Sequence, residues 1–132
     1  MAKAKLAKEI YLETPNEIGM LAKISTVIAN SGVNIVALYA YGERNKAKFR
    51  IVTSDNAKAM EALKPLNFKM NEEEVVLLEL EDKTGVMAEV SRKLAIKKVN
   101  LKYIYGTTIE GAPNCILVLS AEDNEKVMKV LI

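Results

Sequence analysis

The chain has 132 residues, half of them hydrophobic, which is enough to bury a real core. Its 19 Lys and Arg against 17 Asp and Glu give a net charge of +2 with both signs interspersed, so neither nucleic acid nor a membrane surface is an expected partner. Histidine is absent, which removes the commonest general base and metal ligand, and the single cysteine, Cys115, cannot form an internal disulfide.

In chain order, Met1 to Glu9 alternates Ala and Lys without a signal-peptide core and reads as a frayed or helical lead-in. Glu9 to Glu13 alternates as a half-buried strand does, and Thr14-Pro15-Asn16-Glu17-Ile18-Gly19 breaks it. Leu21, Ile24, Val27 and Ile28 recur at helical spacing from Met20 to Asn30, and Ser31-Gly32 ends that helix. A strand over Asn34 to Tyr41, a hairpin turn at Glu43 to Lys46 and a strand over Phe49 to Thr53 follow. Asp55 caps a helix that runs through Leu63 to a stop at Pro65, and Phe68 to Met70 supplies a short fourth strand. Glu72-Glu73-Glu74 reads as a solvated linker.

The same order then returns. Strand Val75 to Leu80, a turn at Glu81 to Gly85, helix Val86 to Lys97, strand Leu101 to Thr107, a hairpin through Glu110 to Pro113, strand Cys115 to Leu119 and a helix from Asp123 repeat the first series. A constant offset of 66 residues joins Ile10 to Val76, Gly19 to Gly85, Ile24 to Val90, Asn34 to Asn100 and Tyr39 to Tyr105. After a two-residue insertion the offset is 68, and Asp55 to Leu63 lies over Asp123 to Leu131. The expectation is an α+β chain of two tandem ferredoxin-like βαββαβ units, residues 1–71 and 72–132, with helices on one face of antiparallel sheets. The second unit lacks its last strand, so its sheet has a bare edge or is covered by something else.

Chemistry has two candidate locations in each unit. The glycine turn between the first strand and helix, at Gly19 and at Gly85, lets unpaired helix N–H groups meet a carboxylate. An asparagine, Asn34 or Asn100, opens the next strand, and its amide can donate and accept together. An intervening helix of about eleven residues, at about 1.5 Å per residue, sets turn and asparagine roughly 16 Å apart. A small ligand cannot touch both within one unit. If the units pair side by side about a pseudo-twofold axis, the Gly19 turn faces Asn100 and the Gly85 turn faces Asn34.

Thr14-Pro15-Asn16-Glu17-Ile18-Gly19-Met20-Leu21-Ala22 with Gly32-Val33-Asn34-Ile35, and Glu81-Asp82-Lys83-Thr84-Gly85-Val86-Met87-Ala88 with Val99-Asn100-Leu101, resemble the ACT domain. The resemblance covers nearly the whole chain as two tandem units with no attached enzyme, a group described as amino-acid-binding regulators. It implies a ligand held by a polar residue three before the turn glycine, here Asn16 or Asp82, and by the partner domain's asparagine, here Asn100 or Asn34. Ile18, Met20, Leu21 and Ile35 belong to the implied site, as do Thr84, Val86, Met87 and Leu101. The family often has Pro directly before the glycine, where this chain has Ile18 and Thr84, which makes both loops looser. Asp82 offers an ammonium group a stronger partner than Asn16 does, so the Asp82, Gly85 and Asn34 combination is favoured if only one site works.

Tyr39, Tyr41, Tyr103 and Tyr105 on the second strands suggest core or interface packing. The aliphatic third strands lack the pattern with which RNA-binding sheets stack bases. Cys115, without a companion Cys or His, is expected to be a small buried hydrophobe, and no metal or cofactor is expected. The resulting expectation is a cytoplasmic homodimer, not an enzyme. It binds an amino acid or related small metabolite between two ACT units and couples binding to association or to a regulated enzyme. The alternative is a ligand-free interaction and oligomerisation module.

Overall fold

In the computed structural model, which describes residues 3–131, the chain begins with one long strand, β1 (Lys3–Pro15). The described part of the expected lead-in is therefore neither frayed nor helical. Its alternating small and long side chains fit the period-2 pleat of a strand, and pairing overrides the weak helical preference of Ala and Lys. Helix α1 (Met20–Asn30) follows, then β2 (Ile35–Glu43), β3 (Lys46–Thr53), α2 (Asn56–Leu63) and a 3-10 turn over Lys64–Leu66. Next comes β4 (Lys69–Glu81), a single strand that absorbs both the expected short fourth strand and the acidic run. Glu72 to Glu74 is thus part of a strand and not a linker: Glu73 pairs with Arg50 at 2.6 Å and Glu72 accepts a hydrogen bond from Asn56, so partners inside the fold serve two of the three adjacent carboxylates. The chain continues through α3 (Val86–Ile96), β5 (Leu101–Thr107), β6 (Asn114–Ala121) and α4 (Asn124–Leu131).

The described residues form two compact units, one of residues 8–73 and the other of residues 3–7 with 74–131. In the first unit the strand order is β2-β3-β1-β4, with β4 contributing its opening residues; in the second it is β5-β6-β4-β1, with β1 contributing residues 3–7. In the second unit the place beside β4 is taken by the start of β1, so that edge is covered, and Ala4 packs on that unit's core as Met70 packs on the first. Both long strands have 13 residues and the same burial pattern.

The pairing β1 with β3 sets Ile10 against Ile51 and Leu12 against Phe49, and β3 with β2 sets Phe49 against Ala40. Ile10, Leu12, Phe49 and Ile51 with Met20, Ile24 and Ile28 of α1 belong to the first core; Val76, Leu78, Leu80, Val90, Leu94 and Leu119 belong to the second. Each fully buried aliphatic side chain contributes about 1.5–3 kcal/mol. Helices α2 and α4 begin alike, because Asp55 accepts from the Lys58 N–H and Asp123 from the Lys126 N–H, each at 3.1 Å.

The sheet faces opposite these cores differ. In the first unit Glu9, fully buried, pairs with Arg50 at 3.3 Å, and the Arg50 guanidinium lies 4.6 Å from the centre of the Tyr11 ring. In the second unit the same repeat positions hold Val75, Val118 and Leu77, beside Tyr103, Tyr105 and a half-exposed Ile116. The tyrosines pair along their strands, Tyr39 tilted against Tyr41 at 5.2 Å between ring centres and Tyr103 stacked on Tyr105 at 6.3 Å. Cys115 is half-buried against the second core.

Candidate functional site

The two glycine turns have the same backbone. Gly19 has φ of 86° and Gly85 of 90°, a left-handed conformation that favours glycine, and a Cβ at either would meet nothing within 4 Å. Backbone conformation, and not crowding, therefore selects glycine here. The Asn16 N–H donates to the Asn45 carbonyl and the Asp82 N–H to the Pro113 carbonyl, each at 2.9 Å, which ties each turn to the following hairpin. No side chain caps α1 or α3 among the described residues. Met20 N–H turns back to the Glu17 carbonyl and Lys23 N–H to that of Gly19, leaving the N–H groups of Leu21 and Ala22 without an acceptor among the described residues; Met87 and Ala88 repeat this. Each helix thus presents two free donors at its positive end.

Side chains around the turns differ. In the first unit the Asn16 amide donates to the Arg44 carbonyl at 3.2 Å and lies over Gly42, where a Cβ would come within 2.7 Å of its nitrogen. A cavity of about 270 Å³ opens beside it, gathering Asn16, Gly19, Met20 and Leu21 with Ala40, Tyr41 and Gly42 of β2. Ile18 is fully exposed at the tip, Leu21 is partly exposed and Met20 is buried. In the second unit the repeat position of Gly42 is Thr108, whose hydroxyl donates to the Asp82 carboxylate at 2.7 Å. Thr84 and Met87 are exposed there and Val86 is half-buried.

Asn34 and Asn100 open β2 and β5 beyond the far ends of α1 and α3, so within a unit neither shares a cavity with its own turn. The Asn34 N–H donates to the Ser54 hydroxyl and its carbonyl accepts from the Ser54 N–H, which leaves its exposed side-chain amide without a partner among the described residues. Asn100 differs: its amide donates to the Glu122 carboxylate at 2.8 Å. Ile35 and Leu101, next along, are half-buried. The sequence reading missed Thr108, Glu122 and the β2 residues Ala40 to Gly42. Aligning the repeats offered a signal for the first two, since Thr108 replaces Gly42 and Glu122 replaces Ser54.

No group of acidic, Cys and His side chains that could hold a metal occurs among the described residues. Nor is any described helix long and apolar enough to cross a membrane.

A family model described as an ACT domain pair matches residues 5–132. Among solved structures, a Bacteroides thetaiotaomicron protein matches with a TM-score of 0.89 at 26% identity, over 97% of this chain and 88% of its own. The ligand-free regulatory subunit of aspartate kinase from Thermus thermophilus matches with a TM-score of 0.69 at 16% identity, over 97% and 93%. Its Thermus flavus equivalent gives 0.67 at 18%, over 98% and 94%. The two kinase subunits show likeness of fold. A sequence search of curated proteins finds no match.

Proposed function

The chain belongs to the ACT domain pair family, and from that membership we propose that it is a regulatory protein, not an enzyme, that binds an amino acid or related small metabolite between two ACT units. The observation that carries the reading is the twice-built glycine turn, where two free helix N–H groups stand beside a polar side chain, Asn16 or Asp82. The N–H pair suits the ligand's carboxylate, and Asp82 suits its ammonium group. The asparagine comes from a second unit, because within one unit an eleven-residue helix separates it from the turn. Asn34 is ready to bind, with its amide unengaged, whereas Asn100 must first leave Glu122. The working combination is therefore Asp82, Gly85 and Asn34. A ligand that bridges two units stabilises their association, and its differential affinity for two states transmits the signal to a regulated enzyme.

Thermal unfolding against each common amino acid tests this, since a ligand at about 100-fold its Kd adds roughly 2.7 kcal/mol. A selective shift that the Asn34→Ala, Asn100→Ala double variant abolishes, with Asn34→Ala alone taking the larger share, is expected. An unchanged affinity in the double variant rejects the reading. No shift with any amino acid favours the interaction module instead, for which the exposed Ile104, Ile109 and Ile116 of the second unit offer apolar surface.

A further inference from the structure

Beneath the β2–β3 hairpin of the first unit lies a larger cavity of about 630 Å³. That is within the roughly 300–1,000 Å³ typical of small-molecule sites. It is separate from the turn cavity and shares no lining residue with it. One wall is the end of β1, a second is the hairpin residues Asn45 and Lys46, and a third is Leu66 to Lys69. The 3-10 turn over Lys64–Leu66 carries Leu66 to this wall.

We propose that this cavity binds a small monocarboxylate that carries an apolar group, with the carboxylate at Lys46 and Lys69 and the apolar part on Pro15, Leu66 and Phe68. Two ammonium groups face one carboxylate there, Glu13, which leaves a local charge of +1 that an anion neutralises. Glu13 holds Lys46 at 2.9 Å, while Lys69 has no ion-pair partner among the described residues. Lys69 is nevertheless near enough for its charge to help hold the Glu13 carboxyl below the usual range, after the larger effects of hydrogen bonds from Lys46 and Tyr11. Leu66 and Phe68 are half-buried against the core and keep apolar surface turned toward the cavity. Burial of a ligand's apolar group there supplies the affinity and the lysines supply the selection of charge.

The test is an amide NMR titration of the full chain with phenylacetate, and in parallel with phenethylammonium, which has a similar apolar group and the opposite charge. Saturable shifts confined to residues 13–15, 45–46 and 66–69 are expected with phenylacetate only. Lys69→Glu, at an exposed position, is expected to weaken them about tenfold while its unfolding temperature stays that of the wild type. Absence of saturable shifts, shifts centred on residues 16–21, equal binding of phenethylammonium, or an unaffected Lys69→Glu variant would each overturn the proposal. The Asn34→Ala, Asn100→Ala variant is expected to bind phenylacetate normally, so failure here and failure of the turn site are told apart.

Discussion

At matching positions of two otherwise equivalent sheet faces, the first unit places Glu9, Tyr11 and Arg50 where the second places Val75, Leu77 and Val118. Each set supports the same strand pairing, so the backbone does not dictate the chemistry of that face. The ionic version requires partners: Glu9 is fully buried and depends on Arg50, which also serves Glu73. The aliphatic version requires only fit, and it leaves Ile116 half-exposed beside Tyr105. Duplication thus kept the fold and let these two faces diverge in chemistry, one ionic and the other aliphatic.

The comparison is broken most severely at Arg50. Arg50→Ala removes the guanidinium that lies 3.3 Å from the buried Glu9 carboxylate and 2.6 Å from that of Glu73, and is expected to cost about 3 kcal/mol, read from urea unfolding. Restoring the second unit's solution, with Glu9→Val and Arg50→Val together, is expected to recover most of that loss. A double variant as unstable as the single one would show that the ionic set is not interchangeable with the aliphatic one.

A smaller effect is expected from removing residues 1–7, which takes the edge strand from the second unit. With hydrogen bonds at about 1 kcal/mol each, the loss is expected to be about 2 kcal/mol. Hydrogen exchange is expected to speed up in β4 and α4 before it does in β3. The caps come next: Asp55→Ala and Asp123→Ala are each expected to cost about 1 kcal/mol in thermal unfolding, equally in both units, because both make the same bond.

The smallest effect is that of pH on Glu13, whose pKa is lowered by the Lys46 hydrogen bond and then by that of Tyr11. A depressed folded-state pKa means its stabilisation is present above the unfolded value and fades as pH falls through the folded one. Glu13→Gln is expected to lower stability at neutral pH and to flatten the acid side of the profile, so that variant and wild type converge as the pH falls below about 4.5. In the second unit the equivalent Glu79 accepts from the Asn114 amide at 2.8 Å and not from a lysine, so the ion pair at Glu13 is a feature of the first unit.

Much of this was legible in the chain. The helical spacing of Leu21, Ile24 and Ile28, the glycine after Ser31 and the aspartate before each short helix are local signals, and the elements they mark stand where expected. The glycine turns were legible too, since a strand, a glycine and a helix in sequence restrict the backbone to few conformations. The lead-in and the acidic run were misread because neither has a local preference strong enough to decide. Their strands exist through pairing and through Arg50, which is 23 residues from Glu73 in the chain. The engagement of Asn100 by Glu122, with Asn34 left free, was equally hidden, for it depends on side chains brought together across a β-hairpin.

The sequence by itself determined the repeat, the order of strands and helices, the caps and the two left-handed turns, because each follows from propensities and periodicities acting over a few residues. Only the tertiary structure decided that β1 begins in one unit and ends in the other, that Glu9 is buried, and that a cavity opens beside Lys69. Alternation along a strand tells which side chains share a face, but not which strand lies next to it. That choice is made by contacts distant in the chain.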